Sequence, residues 1–111
     1  LTMGPTHVPA AARPQPAAFF LGEGHRIVHG NEAFIESFGA SCLGLPAREA
    51  LVDLPAAAFE VMDAVYRTGR PLARNLTLPS GRFRLVVAPR RDPDGVIPYG
   101  IAAHLRRLEE T

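Results

Sequence analysis

The apolar positions of this chain follow two periods, and the places where one gives way to the other mark its elements. In "AAFFLGEGHRIVHG" the apolar runs Phe19 to Leu21 and Ile27 to Val28 are separated by Gly22-Glu23-Gly24, the composition of a tight hairpin, so two antiparallel strands are predicted. Directly afterwards, in "NEAFIESFG", Phe34, Ile35 and Phe38 recur at helical spacing. Asn31 stands at the junction. Its side-chain oxygen suits a helix N-cap, and Glu32 adds a favourable charge in the first turn. Phe34 and Phe38, one turn apart, share a face that packs on the sheet, and Gly39 is placed to stop the helix with a positive φ. On this reading Asn31→Ala costs about 1 kcal/mol through the lost cap. Direct contact with a ligand is the second reading of Asn31.

"LGLPAREAL" predicts a short helix after Pro46. A longer helix runs from Pro55, suited to the first helical position, to about Thr68, with Ala58, Met62, Val65 and Tyr66 as its apolar stripe and Gly69 at its end. Tyr66 reads as a core residue with its polar tip in water, or as a hydroxyl placed in a pocket. Arg70 to Leu78 gives a third strand. In "GRFRLVVAPRR", Phe83, Leu85 and Val87 alternate with Arg82, Arg84 and Val86, the period of a half-buried strand. "DPDG", Asp92 to Gly95, is a turn signal, and Val96 to about Leu105 supplies the last strand. Residues 1–16, with Pro5, Pro9, Pro14 and Pro16, form an extended or disordered arm or linker. Strand, strand, helices and three strands define an α+β domain. If the alternation holds, Phe83, Leu85 and Val87 face Phe34, Phe38, Met62, Val65 and Tyr66 across the core or its cavity, with His29 and Asn31 at the rim.

Composition narrows the class. With 111 residues, 47% apolar and 21% charged, the chain buries one modest core. Its 12 basic residues, all Arg, nearly balance 11 acids, and the net charge of +1 gives no field that draws in nucleic acid or an anionic membrane. A lone cysteine, Cys42, excludes an internal disulfide and a multi-cysteine zinc site. No apolar run approaches the roughly 18 residues of a membrane span, and "LTMGPTHVPAAARPQP" does not read as a signal peptide, so a cytoplasmic module is expected.

Candidate chemistry is sparse. His25 and His29 have the i, i+4 spacing of a helical metal pair, but in a strand they stand about 13 Å apart, too far to share one ion. No nucleophile-base set, Gly-x-Ser-x-Gly, His-Glu-x-x-His or Walker loop is present. The glycines of "GEGHRIVHG" lie in a hairpin rather than at a strand-to-helix turn, so they do not form a phosphate site. The chain is therefore expected not to be an enzyme. Arg90-Arg91 and Arg106-Arg107 read as solvated edges or, alternatively, as a partner surface.

The hairpin "FFLGEGHRIVHG", the junction "NEAF", "LGLPARE", and "FEVMDAVYRTGRPL" leading into the third strand together resemble the PAS sensory-domain family, over about Ala17 to Arg106. The resemblance implies a five-stranded antiparallel sheet in order 2-1-5-4-3, helices covering one face and often enclosing a small-molecule cavity. It also implies a signalling role beside a kinase, phosphatase or DNA-binding output domain. Where family members often end the last strand with Asp-x-Thr, this chain reads "GIAAHLRRLEET". Haem is not expected, because "PAAAFEVMDAVYRTG" has no histidine; covalent flavin is not expected either, because Cys42 in "GASCLGLP" lacks the flavin motif and reads as a small buried thiol. Residues 17–106 are then the sensory domain and 107–111 the start of a linker helix. The arm and the Leu105, Leu108 pair are candidate elements of a homodimer. The ligand-binding set is His29, Asn31, Phe34, Phe38, Met62, Val65, Tyr66, Phe83, Leu85 and Val87, enclosing a small apolar ligand. A ligand-free dimerisation module is the alternative, and a small hydratase- or isomerase-like α+β enzyme the third reading.

Overall fold

The structure, a computed structural model, describes residues 15–91 and 98–108. Strands β1 (Ala17–Leu21) and β2 (Arg26–Gly30) form the first hairpin, followed by α1 (Glu32–Phe38), a 3₁₀ turn at Ala40–Cys42, α2 (Ala47–Ala50) and α3 (Ala56–Thr68). Strands β3 (Leu72–Leu78), β4 (Gly81–Arg91) and β5 (Pro98–Arg107) complete one antiparallel sheet in order β2-β1-β5-β4-β3. The sheet order and the α+β class are those expected. Helices α1 and α3 lie on one face, α1 over β1 and β2 and α3 over β3, β4 and β5. Between the layers Phe20, Ile27, Leu85, Val87 and Ile101 from the sheet meet Phe34, Met62 and Val65 from the helices, all buried. Each such side chain contributes about 1.5–3 kcal/mol on leaving water.

Asn31 sits where β1, β2 and α1 converge. Its Oδ1 accepts from Phe34 N (2.9 Å), the N-cap bond expected, and also from Ala17 N (3.1 Å), while its Nδ2 donates to Gln15 O (2.8 Å). The backbone joins in, with Asn31 N donating to Ala17 O at 2.9 Å. At the other end of α1, Gly39 has φ +92° and donates to Ile35 O, so the helix stops where the sequence placed its end.

The outer edge of β2 is covered rather than open. Ile27 N donates to Leu45 O, Gly44 N to Ile27 O and Ala47 N to His25 O, so the segment leading into α2 occupies an edge that would otherwise template aggregation.

Several boundaries move. Pro55 caps α3 from just outside the helix instead of occupying its first turn, because its extended backbone (ψ 160°) offers its carbonyl to Ala58 N. β3 starts at Leu72, not Arg70, and β5, described over Pro98–Arg107, runs past the expected end at Leu105, while Val96 and Ile97 lie outside the described residues. Leu105 is therefore not part of a helical pair with Leu108. It lies within β5 opposite Leu85 and is buried, and Leu108 N donates to Arg82 O, prolonging the ladder instead of starting a helix at Arg107. The Asp92–Gly95 turn, residues 1–14 of the arm and residues 109–111 lie outside the described residues.

Since Asn31 joins three segments, Asn31→Ala is expected to cost about 2–3 kcal/mol, more than a lost cap alone. Asn31→Asp, which keeps the acceptor but not the donor to Gln15, should lose about half of that. Urea unfolding of the two variants measures both.

Candidate functional site

The inner face of the sheet and the helices do not close completely. Phe20 and Leu85 from the sheet, Phe34 and Phe38 from α1, Leu51 after α2 and Met62 from α3 wall a wholly apolar cavity of about 30 Å³, room for about two water molecules. The aromatic wall is set by a glycine. A Cβ on Gly30 would overlap the Phe34 ring, so glycine at the end of β2 leaves room for that ring, which packs on Phe38 at 5.0 Å between centroids. Next to this cavity is a recess of about 220 Å³ whose walls include Ser37 and Phe38 of α1, Asp53 and Leu54 before α3, Ser80 of the β3–β4 turn and Phe83 of β4. Pro16, Phe38, Leu54 and Leu105 line both spaces and form the partition between them.

Of the residues expected to bind, Phe34, Phe38, Met62 and Leu85 line the cavity, and Phe38 and Phe83 line the recess. Val65 and Val87 are completely buried in the core but line neither space. Tyr66 packs edge-on to His25, with ring centroids 5.9 Å apart. Asn31 is occupied by its three backbone partners and lines neither space. His29 is not at the rim. A β-bulge pairs Phe20 with Ile27 but Phe19 with His29, so His29 turns to the outer face of the sheet and packs on Phe19 at 5.6 Å. Phe20, Leu51 and Leu54 are wall residues that the sequence reading did not include. Phe20 alternates with the outward Phe19 and was recoverable; Leu51 and Leu54 sit in an irregular connection whose path has no periodic signal.

Also unexpected is the ionic cluster at the back of the helices. His25, 1% exposed and with the unusual positive φ of +55°, points inward from the hairpin and its Nε2 donates to Asp63 Oδ1 at 2.7 Å. Asp63 Oδ2 accepts from Arg48 Nη2 at 2.8 Å, so the β1–β2 hairpin, α2 and α3 are joined through one carboxylate. His25 Nδ1 is buried and has no partner among the described residues. His25 and His29 thus face different surroundings on different sides of the sheet, and no group of three or more metal-ligand side chains occurs among the described residues. The Cys42 thiol is buried and donates to Phe38 O, a packing role. No described helix is long and apolar enough to cross a membrane.

The architecture is the PAS fold. The chain is similar to the PAS domain of the histidine kinase ThkA (18% identity, TM-score 0.69, covering 84% of this chain and 99% of that one). It is similar as well to the PAS domain of BvgS from Bordetella pertussis (25% identity, TM-score 0.66, 91% and 82%). VqmA of Vibrio cholerae, in a structure bound to DPO, matches at 20% identity and a TM-score of 0.68 over 90% of this chain, which spans 54% of that chain. No family model matches the chain, and no curated protein matches it significantly.

The Asp63 carboxyl is held below its ordinary range mainly by the hydrogen bond from Arg48, against the opposing effect of burial, with His25 adding to the lowering. A depressed carboxylate stabilises the fold above its unfolded pKa of about 3.9, and that stabilisation is lost as pH falls through the lower folded value. The unfolding free energy is therefore expected to drop below about pH 4 more steeply in the wild type than in Asp63→Asn. Chemical unfolding across pH 2–6, on the order of one unit per step, measures the difference.

Proposed function

We propose that this domain is a non-catalytic sensory module that takes a small apolar ligand between sheet and helices and passes the signal, as a homodimer, to an output domain. The observation that carries this reading is the partition. A wholly apolar cavity and a larger, partly polar recess share Pro16, Phe38, Leu54 and Leu105 as wall residues, so rotation of the Phe38 and Leu54 side chains would widen the passage between them into one site with an apolar interior and Ser37, Asp53 and Ser80 at its mouth. Apolar walls with a few polar groups are the usual make-up of a small-molecule site. The comparisons support the same reading at a coarser level, since ThkA is a histidine kinase, and VqmA is described both as a dimer and bound to DPO. His29 takes no part in the proposed site. Phe34, Phe38, Met62, Phe83 and Leu85 do.

A specific observation favours a second reading. The inner cavity holds only about 30 Å³, and the aromatic pair Phe34 and Phe38 fills much of the space where a ligand would lie. A ligand-free dimerisation module would look like this.

Native mass spectrometry of the purified protein separates the two. An added mass that is removed by organic solvent supports the sensor; its absence, together with unchanged melting on exposure to a panel of small apolar compounds, supports the packed module. In the sensor reading Met62→Trp is expected to abolish binding while costing about 1–3 kcal/mol by overpacking, whereas Phe38→Ala opens the partition and broadens the range of compounds accepted. Binding is measured for each variant under conditions where circular dichroism shows it folded.

A further inference from the structure

The recess beside the apolar cavity has two walls of different make-up. Ser37 and Phe38 at the end of α1, with Asp53 and Leu54 before α3, build the helical wall. Leu78 and Ser80 around the β3–β4 turn, Phe83 of β4 and Leu105 of β5 build the sheet wall. Its volume of about 220 Å³ exceeds the roughly 150 Å³ that admits benzene to an apolar protein cavity. A single ring with a short side chain therefore fits.

The polar groups on these walls are not equivalent. The hydroxyls of Ser37 and Ser80 can donate or accept, whereas an ionised carboxylate only accepts. Asp53 is the one charged side chain among the described residues that line the recess, and it is exposed and forms no ion pair among those residues. In this it differs from Asp63, whose carboxylate is shared between His25 and Arg48. Arg107 stands beside the sheet wall but does not line the recess. Its guanidinium lies over the Phe83 ring at 4.7 Å and donates to Ser80 O at 3.1 Å, so it is already engaged. A guest between the walls thus meets a carboxylate from the helices, a phenyl ring from each side, and no lining cation.

We propose that the recess takes a cationic amine with a compact apolar body, its ammonium set against Asp53 on the helical wall and its body against Phe83 and Leu105 on the sheet wall. An ammonium offers donors and no acceptor, the complement of a carboxylate, and a phenyl face within about 6 Å attracts the same charge. A carboxylate-headed guest would face Asp53 directly, or would have to draw Arg107 away from Ser80 O and the Phe83 ring. A neutral guest would fill the apolar walls and leave the Asp53 charge unused. The inference rests on the sensory reading and adds to it the charge of the ligand's head group.

The test titrates the full chain, labelled with nitrogen-15, with three probes that share a phenylethyl body: 2-phenylethylamine, 2-phenylethanol and 3-phenylpropanoate. The amine is expected to shift the amides of Ser37, Asp53 and the turn from Ser80 to Phe83 and to bind about tenfold more tightly than the alcohol, with the carboxylate weakest. Asp53→Asn keeps the shape of the wall and removes its charge. It should bring the amine down to the affinity of the alcohol and leave the alcohol unchanged, and added salt should erode the advantage of the amine in the wild type only. Equal affinity for amine and alcohol, tightest binding of the carboxylate, or a preference for the amine that survives Asp53→Asn would each overturn the inference and leave the sensory reading standing. Amine shifts scattered over other acidic residues, an adventitious association only, would overturn it as well. So would binding of none of the three at millimolar concentration; the sensory reading is then decided separately, by whether native mass spectrometry shows a copurified neutral adduct.

Discussion

Most of this molecule depends on one polar side chain held at the convergence of three segments. Asn31 accepts from the first amide of β1 and from the third residue of α1 and donates to the carbonyl before β1, so a single amide group fixes where the first strand begins and at what angle the first helix leaves the second. Buried backbone amides must find partners, and here one residue satisfies two of them from different elements. With α1 set in this way, Phe34 and Phe38 are delivered to the sheet, and the width of the cavity follows from where those two rings come to rest.

A second tie acts on the other side. The Asp63 carboxylate, shared between buried His25 and exposed Arg48, binds α3 to the hairpin and to α2, and the covered edge of β2 adds three backbone bonds to the same region. The helical layer is thus pinned at α3 by charge and at α1 by an amide. Between the two pins lie Leu51, Leu54 and Phe38, whose backbones are hydrogen-bonded locally and whose side chains are held by packing.

The fold was legible because its punctuation is strong. Asn31, Gly39 and Gly69 stand at helix ends where their residue types are favoured, and the alternation of Phe83, Leu85 and Val87 fixes the inner face of β4. The site was legible to the extent that it is periodic, which recovered Phe34, Phe38, Met62, Phe83 and Leu85. His29 was misplaced by the same rule that placed the others: strict alternation from the buried Ile27 turns residue 29 inward, and the extra residue Val28 in the bulge reverses it. The His25 contact was invisible for a related reason. A non-glycine residue with positive φ turns a hairpin side chain toward a helix that begins thirty positions later, and neither the turn nor the distance leaves a local pattern. The helical spacing of Leu105 to Leu108 suggests a pair free to bury surface against a second copy, whereas pairing with Leu85 buries Leu105 within β5 and extends the strand past it.

The strand order carries a consequence for how the chain is made. β1 leaves the ribosome first, yet it occupies the interior of the sheet, with Ala17 opposite His104 and Phe20 opposite Ile101. Until β5 has been synthesised, one side of β1 has no strand to pair with, and Phe20 has no Ile101 to cover it. Completion of the sheet around β1 therefore waits on β5, the last of its five strands to be translated, the slow, long-loop closure that gives non-local sheets their low folding rates. Over that interval the nascent hairpin exposes an adhesive edge, and the covering of β2 by the segment into α2, available as soon as Ala47 emerges, leaves only the β5 side of the hairpin open to unwanted neighbours.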